Sequence, residues 1–114
     1  MGITIITCSG VSNTGKLTTQ AGLTLMHRCP GKIDNCIEAG RLAALKKNPQ
    51  DKFDTILVLD GCGDCCGKKK IESLGISPDL QIIATDYGIK KRGMEEPVYS
   101  EIETLVSAVK KALE

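Results

Sequence analysis

Apolar and polar positions alternate along the chain in blocks that predict both kinds of regular structure. Ile3 to Thr7 is a short β-branched run and predicts a first strand. A loop of small residues and turn formers follows, Cys8 to Gly15. Leu17, Ala21 and Leu25 then recur at every fourth position, which predicts a helix with one apolar face, stopping near Cys29 because Pro30-Gly31 cannot continue it. Asn35-Cys36-Ile37-Glu38 has the form of a capping box, with Ile37, Ala44 and Leu45 as a modest apolar face, and predicts a second helix closed by Lys46 to Pro49. Thr55 to Leu59 is an unbroken aliphatic run, as expected of a central strand buried on both faces. A third helix is expected over about Cys66 to Leu74 with Gly75 at its close, and a third strand over Leu80 to Thr85, ending at Asp86-Tyr87-Gly88. Ser100 and Glu103 form a capping box before Ile102, Leu105, Val106, Val109 and Leu113, the apolar stripe of a last helix.

Strands alternating with helices predict a parallel sheet. The expected fold class is therefore α/β, a small three-layer Rossmann-like domain with a short parallel sheet covered by helices, as a single domain over residues 1–114. With no tryptophan and one phenylalanine, the core must be aliphatic.

Charge narrows the function classes. Fifteen basic and fourteen acidic residues leave a formal net charge of +1, so there is no electrostatic case for nucleic acid. No apolar run approaches the roughly 20 residues of a membrane span, and the N-terminal residues lack the basic flank and length of an export signal. The expected location is the cytoplasm, without a membrane partner.

Six cysteines in a chain of this size change the picture again. Cytosolic thiols stay reduced, so clustered cysteines point to metal or redox chemistry rather than a disulfide framework. Three of the six lie in Asp60-Gly-Cys62-Gly-Asp-Cys65-Cys66, on the turn between the central strand and the third helix. Parallel strands end on one edge of the sheet, where α/β proteins build their sites. With the first two strands as neighbours, Cys8 meets the Cys62–Cys66 loop there, and Cys36, at the start of a helix in the crossover, closes over the same spot. Four thiolates suit zinc. The candidate metal ligands are Cys8, Cys36, Cys62 and either Cys65, at the two-residue gap of many zinc knuckles, or Cys66, at a three-residue gap that is also within the usual range. The alternative is a thiol or persulfide redox enzyme using Cys62, Cys65 and Cys66, since Cys-x-x-Cys at a strand end also occurs in thioredoxin-like oxidoreductases.

Other chemistry-bearing residues read more plainly. Gly10-Val-Ser-Asn-Thr-Gly15-Lys16 matches the glycine and lysine part of a phosphate-binding loop, yet Leu17 stands where the Mg²⁺-binding hydroxyl belongs, so tight Mg-nucleotide binding is not expected. Cys29 reads as an ordinary half-buried thiol, and His27, the single histidine, as a dipole-complementing residue in a helix's last turn. Lys68-Lys69-Lys70 reads as a solvated helix face that raises the local potential. Asp60 and Asp86 end strands at the site edge, as supporting acceptors or turn formers.

At these residues the chain resembles the DGC domain family. The resemblance covers most of the chain and rests on Cys8-Ser-Gly10-Val-Ser-Asn13-Thr-Gly15 after the first strand, on Cys36, and on Asp60-Gly61-Cys62 with Cys66-Gly67-Lys68-Lys69. It implies a small cytoplasmic α/β domain with a zinc-binding cysteine set. Carried over position by position, the implied ligands are Cys8, Cys36, Cys62 and Cys66. The sequence departs from the family pattern in its extra thiol, Cys65, and in Gly63, where a proline is common. The resemblance supplies a site without a reaction, and neither the physiological metal nor a protein partner follows from it.

Overall fold

The computed structural model describes residues 2–8, 12–42 and 55–113. Its elements are β1 (Ile3–Thr7), α1 (Asn13–Arg28), β2 (Ile33–Glu38), a single-turn α2 (Ala39–Leu42), β3 (Thr55–Asp60), α3 (Cys66–Ser73), β4 (Leu80–Ile83) with a 3₁₀ turn at Ala84–Tyr87, and α4 (Tyr99–Ala112). The four strands form an all-parallel sheet in the order β2-β1-β3-β4. This is the expected Rossmann-like α/β arrangement, and residues of β3 show why its sequence is continuously apolar. Leu57 and Leu59 pack into a core with Leu17, Ala21 and Leu25 of α1 and Leu105, Val106 and Val109 of α4. Ile56 and Val58 alternate to the other face, against Ile71 of α3 and Ala39. With helices on both faces, neither side of β3 meets water.

Local sequence explains where the helices begin and end. Ser12 caps α1, its Oγ accepting the Gly15 N–H at 3.1 Å. α3 ends in a Schellman arrangement: Ile76 N–H donates to the Ile71 carbonyl and Gly75 N–H to that of Glu72, each at 3.0 Å, with Gly75 at φ +82°.

Two expectations are corrected. Asn35–Glu38 does not open a helix but lies inside β2, whose residues pair with β1 from Ile3↔Ile33 to Thr7↔Glu38. β2 is an edge strand, and only Ile33 of its six residues is fully buried. Such a strand carries no apolar run to announce it, and its exposed Asn35 and Glu38 imitate a cap. The remainder of the expected second helix, with Ala44 and Leu45, and the loop of Lys46 to Pro49 lie outside the described residues. At α4 the capping position is two residues earlier than Ser100: Glu101 Oε1 accepts the Val98 N–H at 3.0 Å. Glu103 instead forms a two-pronged pair with Arg28 of α1, at 2.6 and 3.0 Å. The apolar stripe of α4 lies as expected, with Leu105, Val106 and Val109 buried and Ile102 and Leu113 packed against the core.

Candidate functional site

β1 leads through α1 to β2 on one side, while β3 and β4 extend the sheet on the other, so the strand order reverses between β1 and β3. A crevice opens at the carboxyl ends of the strands at such a reversal. Here it is a cleft of about 200 Å³. Cys8 enters from β1, still in the ladder through its N–H to the Leu59 carbonyl at 3.1 Å. Cys62 and Cys66 enter from the β3–α3 loop, Ser12 and Gly15 from the start of α1, and Lys91 from the segment after β4.

Two glycines let the helices close on the strand ends. A Cβ on Gly61 would stand 2.7 Å from the carbonyl carbon of Thr14 and 2.9 Å from Gly15 N, so the first turn of α1 abuts Gly61 directly. A Cβ on Gly67 would stand 2.9 Å from Asp60 Oδ1 and 3.4 Å from Cys8 Cα. That closeness lets the Gly67 N–H donate to Asp60 Oδ1 at 2.8 Å, filling one of the unpaired donors of the α3 N-terminus. Asp60 is fully buried, and its Oδ2 accepts from Gln81 Nε2 at 3.0 Å. The carboxylate thus ties β3, α3 and β4 together behind the cysteine loop.

The loop divides the adjacent thiols. Cys65 N–H donates to the Cys62 carbonyl at 3.1 Å, and Cys65 takes φ +52°, alone among the described non-glycine residues in that region. Its Sγ is turned to Gln81, accepting from Nε2 at 3.3 Å. Cys66, the first residue of α3, is exposed and shares the cleft wall with Cys8 and Cys62. Cys8 Sγ lies 3.7 Å from Thr18 Oγ1. Cys62 Sγ lies 3.6 Å from Asp64 Oδ2, and Lys91 Nζ donates to it at 3.8 Å.

Cys36 sits elsewhere. It pairs with Ile5 within β2, half-buried against the core on the α1 side. Its Sγ occupies the space that a Cβ on Gly22 would enter at 2.5 Å. Gly22 lies one helical turn, about 5.4 Å, beyond the Thr18 that touches Cys8. Burial, with a smaller contribution from Glu38, pushes the Cys36 thiol up to about 11. Among the described residues, no three His, Cys, Asp or Glu side chains are gathered closely enough to hold a metal ion. Three cysteines nonetheless line one cleft, Cys8, Cys62 and Cys66, and thiols are the donors that soft metals select. Cys36 does not line this cleft; its thiol stands beside Gly22 of α1.

The remaining candidates are placed clearly. Lys16 does not line the cleft: its Nζ pairs with Glu96 at 2.8 Å and donates to the Met94 carbonyl at 3.0 Å. Leu17 is fully buried in the core. Gly10, with Ser9 and Val11, lies outside the described residues. His27 and Asp86 are exposed, and Cys29 is half-buried at the end of α1. Lys69 and Lys70 are exposed on α3, as a solvated face requires.

Sequence reasoning passed over Lys91 and Gln81, and met Asn13 only as part of the motif that follows β1. By sequence, Lys90-Lys91-Arg92-Gly93 reads as a plain surface loop. Its signal was its place, a short run of cations just after β4, hence at the same sheet edge. Asn13 and Gln81 act through contacts distant in sequence and leave no local pattern.

Comparison with known proteins agrees with this reading at the level of family. Neither curated proteins nor solved structures give a match. The profile of the DGC domain matches residues 4–109, from β1 into the last helix and through every residue of the cleft. The chain belongs to the DGC domain family.

Proposed function

We propose that this protein binds a thiophilic metal ion, zinc foremost, at an open site built from Cys8, Cys62 and Cys66, and that its role is metal handling in the cytoplasm. The observation that carries the reading is the meeting of these three thiols on one cleft at the point where the strand order reverses. Thiolates are the commonest protein ligands of structural zinc, and three protein ligands with a fourth position left free characterise sites that exchange or act on a ligand. A metal held there would supply Lewis acidity to whatever occupies that position. The chain's own contribution is to orient: Asp60 fixes the start of α3 and with it Cys66, and Gln81 holds Cys65 aside. Cys36 is left out of the donor set because its thiol is buried one turn away under Gly22.

Reduced protein is expected to take up about one zinc per chain with sulfur as the main donor. Cys8→Ser, Cys62→Ser and Cys66→Ser should each lose most of that affinity, while Cys36→Ser and Cys65→Ser keep it. X-ray absorption without a sulfur shell, or uptake abolished by Cys36→Ser, would refute the three-thiol site. Failure to bind zinc, together with a disulfide forming within the Cys62–Cys66 loop under mild oxidation, would favour thiol redox chemistry instead.

A further inference from the structure

We propose that the external ligand of this cleft is a small anion and that Lys91 selects it, holding it beside the Cys62 thiol. This deepens the metal-site reading, on which it rests for the role of the thiols, by naming the class of ligand that meets them.

The argument starts from a buried amide. Asn13 is fully buried at the start of α1. Its Nδ2 donates to the Lys90 carbonyl at 2.8 Å, its Oδ1 accepts the Arg92 N–H at 2.5 Å, and its own N–H donates to the Gly93 carbonyl at 2.8 Å. One side chain therefore clamps the backbone on both sides of Lys91. Burying an amide is unfavourable unless its groups are bonded, and here both are bonded to this one segment.

Two neighbouring cations, Arg92 and Lys16, are already committed. Arg92 forms a fork on Glu101, at 2.5 and 2.9 Å, and Lys16 is paired with Glu96. Both of these pairs also anchor the segment that carries Lys91. Lys91 is turned the other way, into the cleft, with its ammonium 3.8 Å from Cys62 Sγ. Its acidic neighbour is Asp64 at 4.0 Å, whose side chain is 74% exposed, so water screens that contact strongly.

The remaining features agree in sign and size. The first turns of α1 and α3 both open on the cleft, and helix N-termini favour negative charge. A space of about 200 Å³ equals about seven waters' share of liquid volume, enough for an anion of a few heavy atoms.

The test compares two alkylating reagents of similar size on the reduced, metal-free protein, anionic iodoacetate and neutral iodoacetamide, with modification at each cysteine read by mass spectrometry. The ratio of the two rates at one thiol cancels its reactivity and general access and leaves the effect of reagent charge. The ratio at Cys62 is expected to exceed that at Cys29, which is remote from the cleft. Lys91→Met should lower it roughly threefold to fivefold, the scale of one partly screened charge contact. Lys91→Arg should preserve it, and Asp64→Asn should raise it. A merely structural role for Lys91 would move both rates together. The proposal is overturned if Lys91→Met leaves the ratio unchanged, if Cys62 shows no excess over Cys29, or if neither reagent reaches Cys62. Zinc uptake measured in parallel separates the two readings: a charge-dependent ratio without zinc binding removes the metal and keeps the anion site, and zinc binding without the ratio does the reverse.

Discussion

Gly67→Ala is the substitution on which local propensity and tertiary packing disagree in sign. Gly67 lies in the first turn of α3, and alanine is intrinsically better than glycine in a helix by up to about 1 kcal/mol. Judged by helix propensity, the variant should be more stable. The structure predicts the opposite. The added methyl would stand 2.9 Å from Asp60 Oδ1 and 3.4 Å from the Cys8 backbone. Neither neighbour can yield: Asp60 is fully buried and held on its other oxygen by Gln81, and Cys8 is fixed in the ladder by its bond to Leu59. α3 must therefore retreat, lengthening the Gly67 N–H···Asp60 bond. A hydrogen bond to a charged group is worth about 1.5–3 kcal/mol, and overpacking adds about 1 kcal/mol or more. Set against the propensity gain, the net loss is about 2 kcal/mol. Urea unfolding followed by circular dichroism measures this directly, as a fall in midpoint at unchanged slope. Gly63→Ala is the internal control, since a Cβ there meets nothing within 4 Å and its φ lies outside the left-handed region; it should leave stability within about 0.5 kcal/mol. A Gly67→Ala protein as stable as the parent would refute the tight apposition of α3, Asp60 and Cys8, and with it the positioning of Cys66.

Two further outcomes test separate parts of the molecule. Arg28 holds the Glu103 carboxyl down to about 2 from an ordinary value near 4.5; because the folded value is the lower one, the pair's contribution is present above about 4.5 and is lost as pH falls toward 2. The thermal midpoints of the parent and Glu103→Gln should thus differ slightly at pH 7, in favour of the parent, and converge by about pH 2; a gap that widens in acid would contradict the pair. Cys36, half-buried and raised to about 11, should be alkylated by iodoacetamide at pH 8 at least tenfold more slowly than exposed Cys66, since only the thiolate reacts, and comparable rates would show that Cys36 is not held under Gly22.

The sheet was legible where burial is two-sided or a helix stripe is long. β3 reads as a strand because helices cover both its faces, and α4 because Leu105, Val106 and Val109 return at helical spacing to one core. The loop of Cys62 to Cys66 was legible as a site because glycine and three thiols directly follow a buried strand, a combination with little packing purpose. β2 was not legible. An edge strand with one face half open needs no apolar run, and its backbone is satisfied by β1 whatever its side chains are. The segment around Lys91 was equally opaque, since its conformation is set by Asn13, whose side chain bonds residues 77 and 79 positions away.

The expected position of Cys36 followed from the helix expected there, so the correction at β2 moves it. As the first turn of a helix, Cys36 would have stood at the sheet edge with its thiol free to swing over the cleft. As a strand residue it obeys the alternation of a pleated sheet, and its pairing with Ile5 places it level with the third residue of β1, three positions short of Cys8. Three residues of strand span about 10 Å. On that register Cys36 stands back along the ladder beside Gly22, whereas Cys8 stands at its end. Cys8, Cys62 and Cys66 all lie past the last residues of β1 and β3 and line one cleft. Topology thus decides which cysteines line the cleft: one inside a strand is placed by its register along the ladder, and one just past the strand's end stands at the edge where the loops converge.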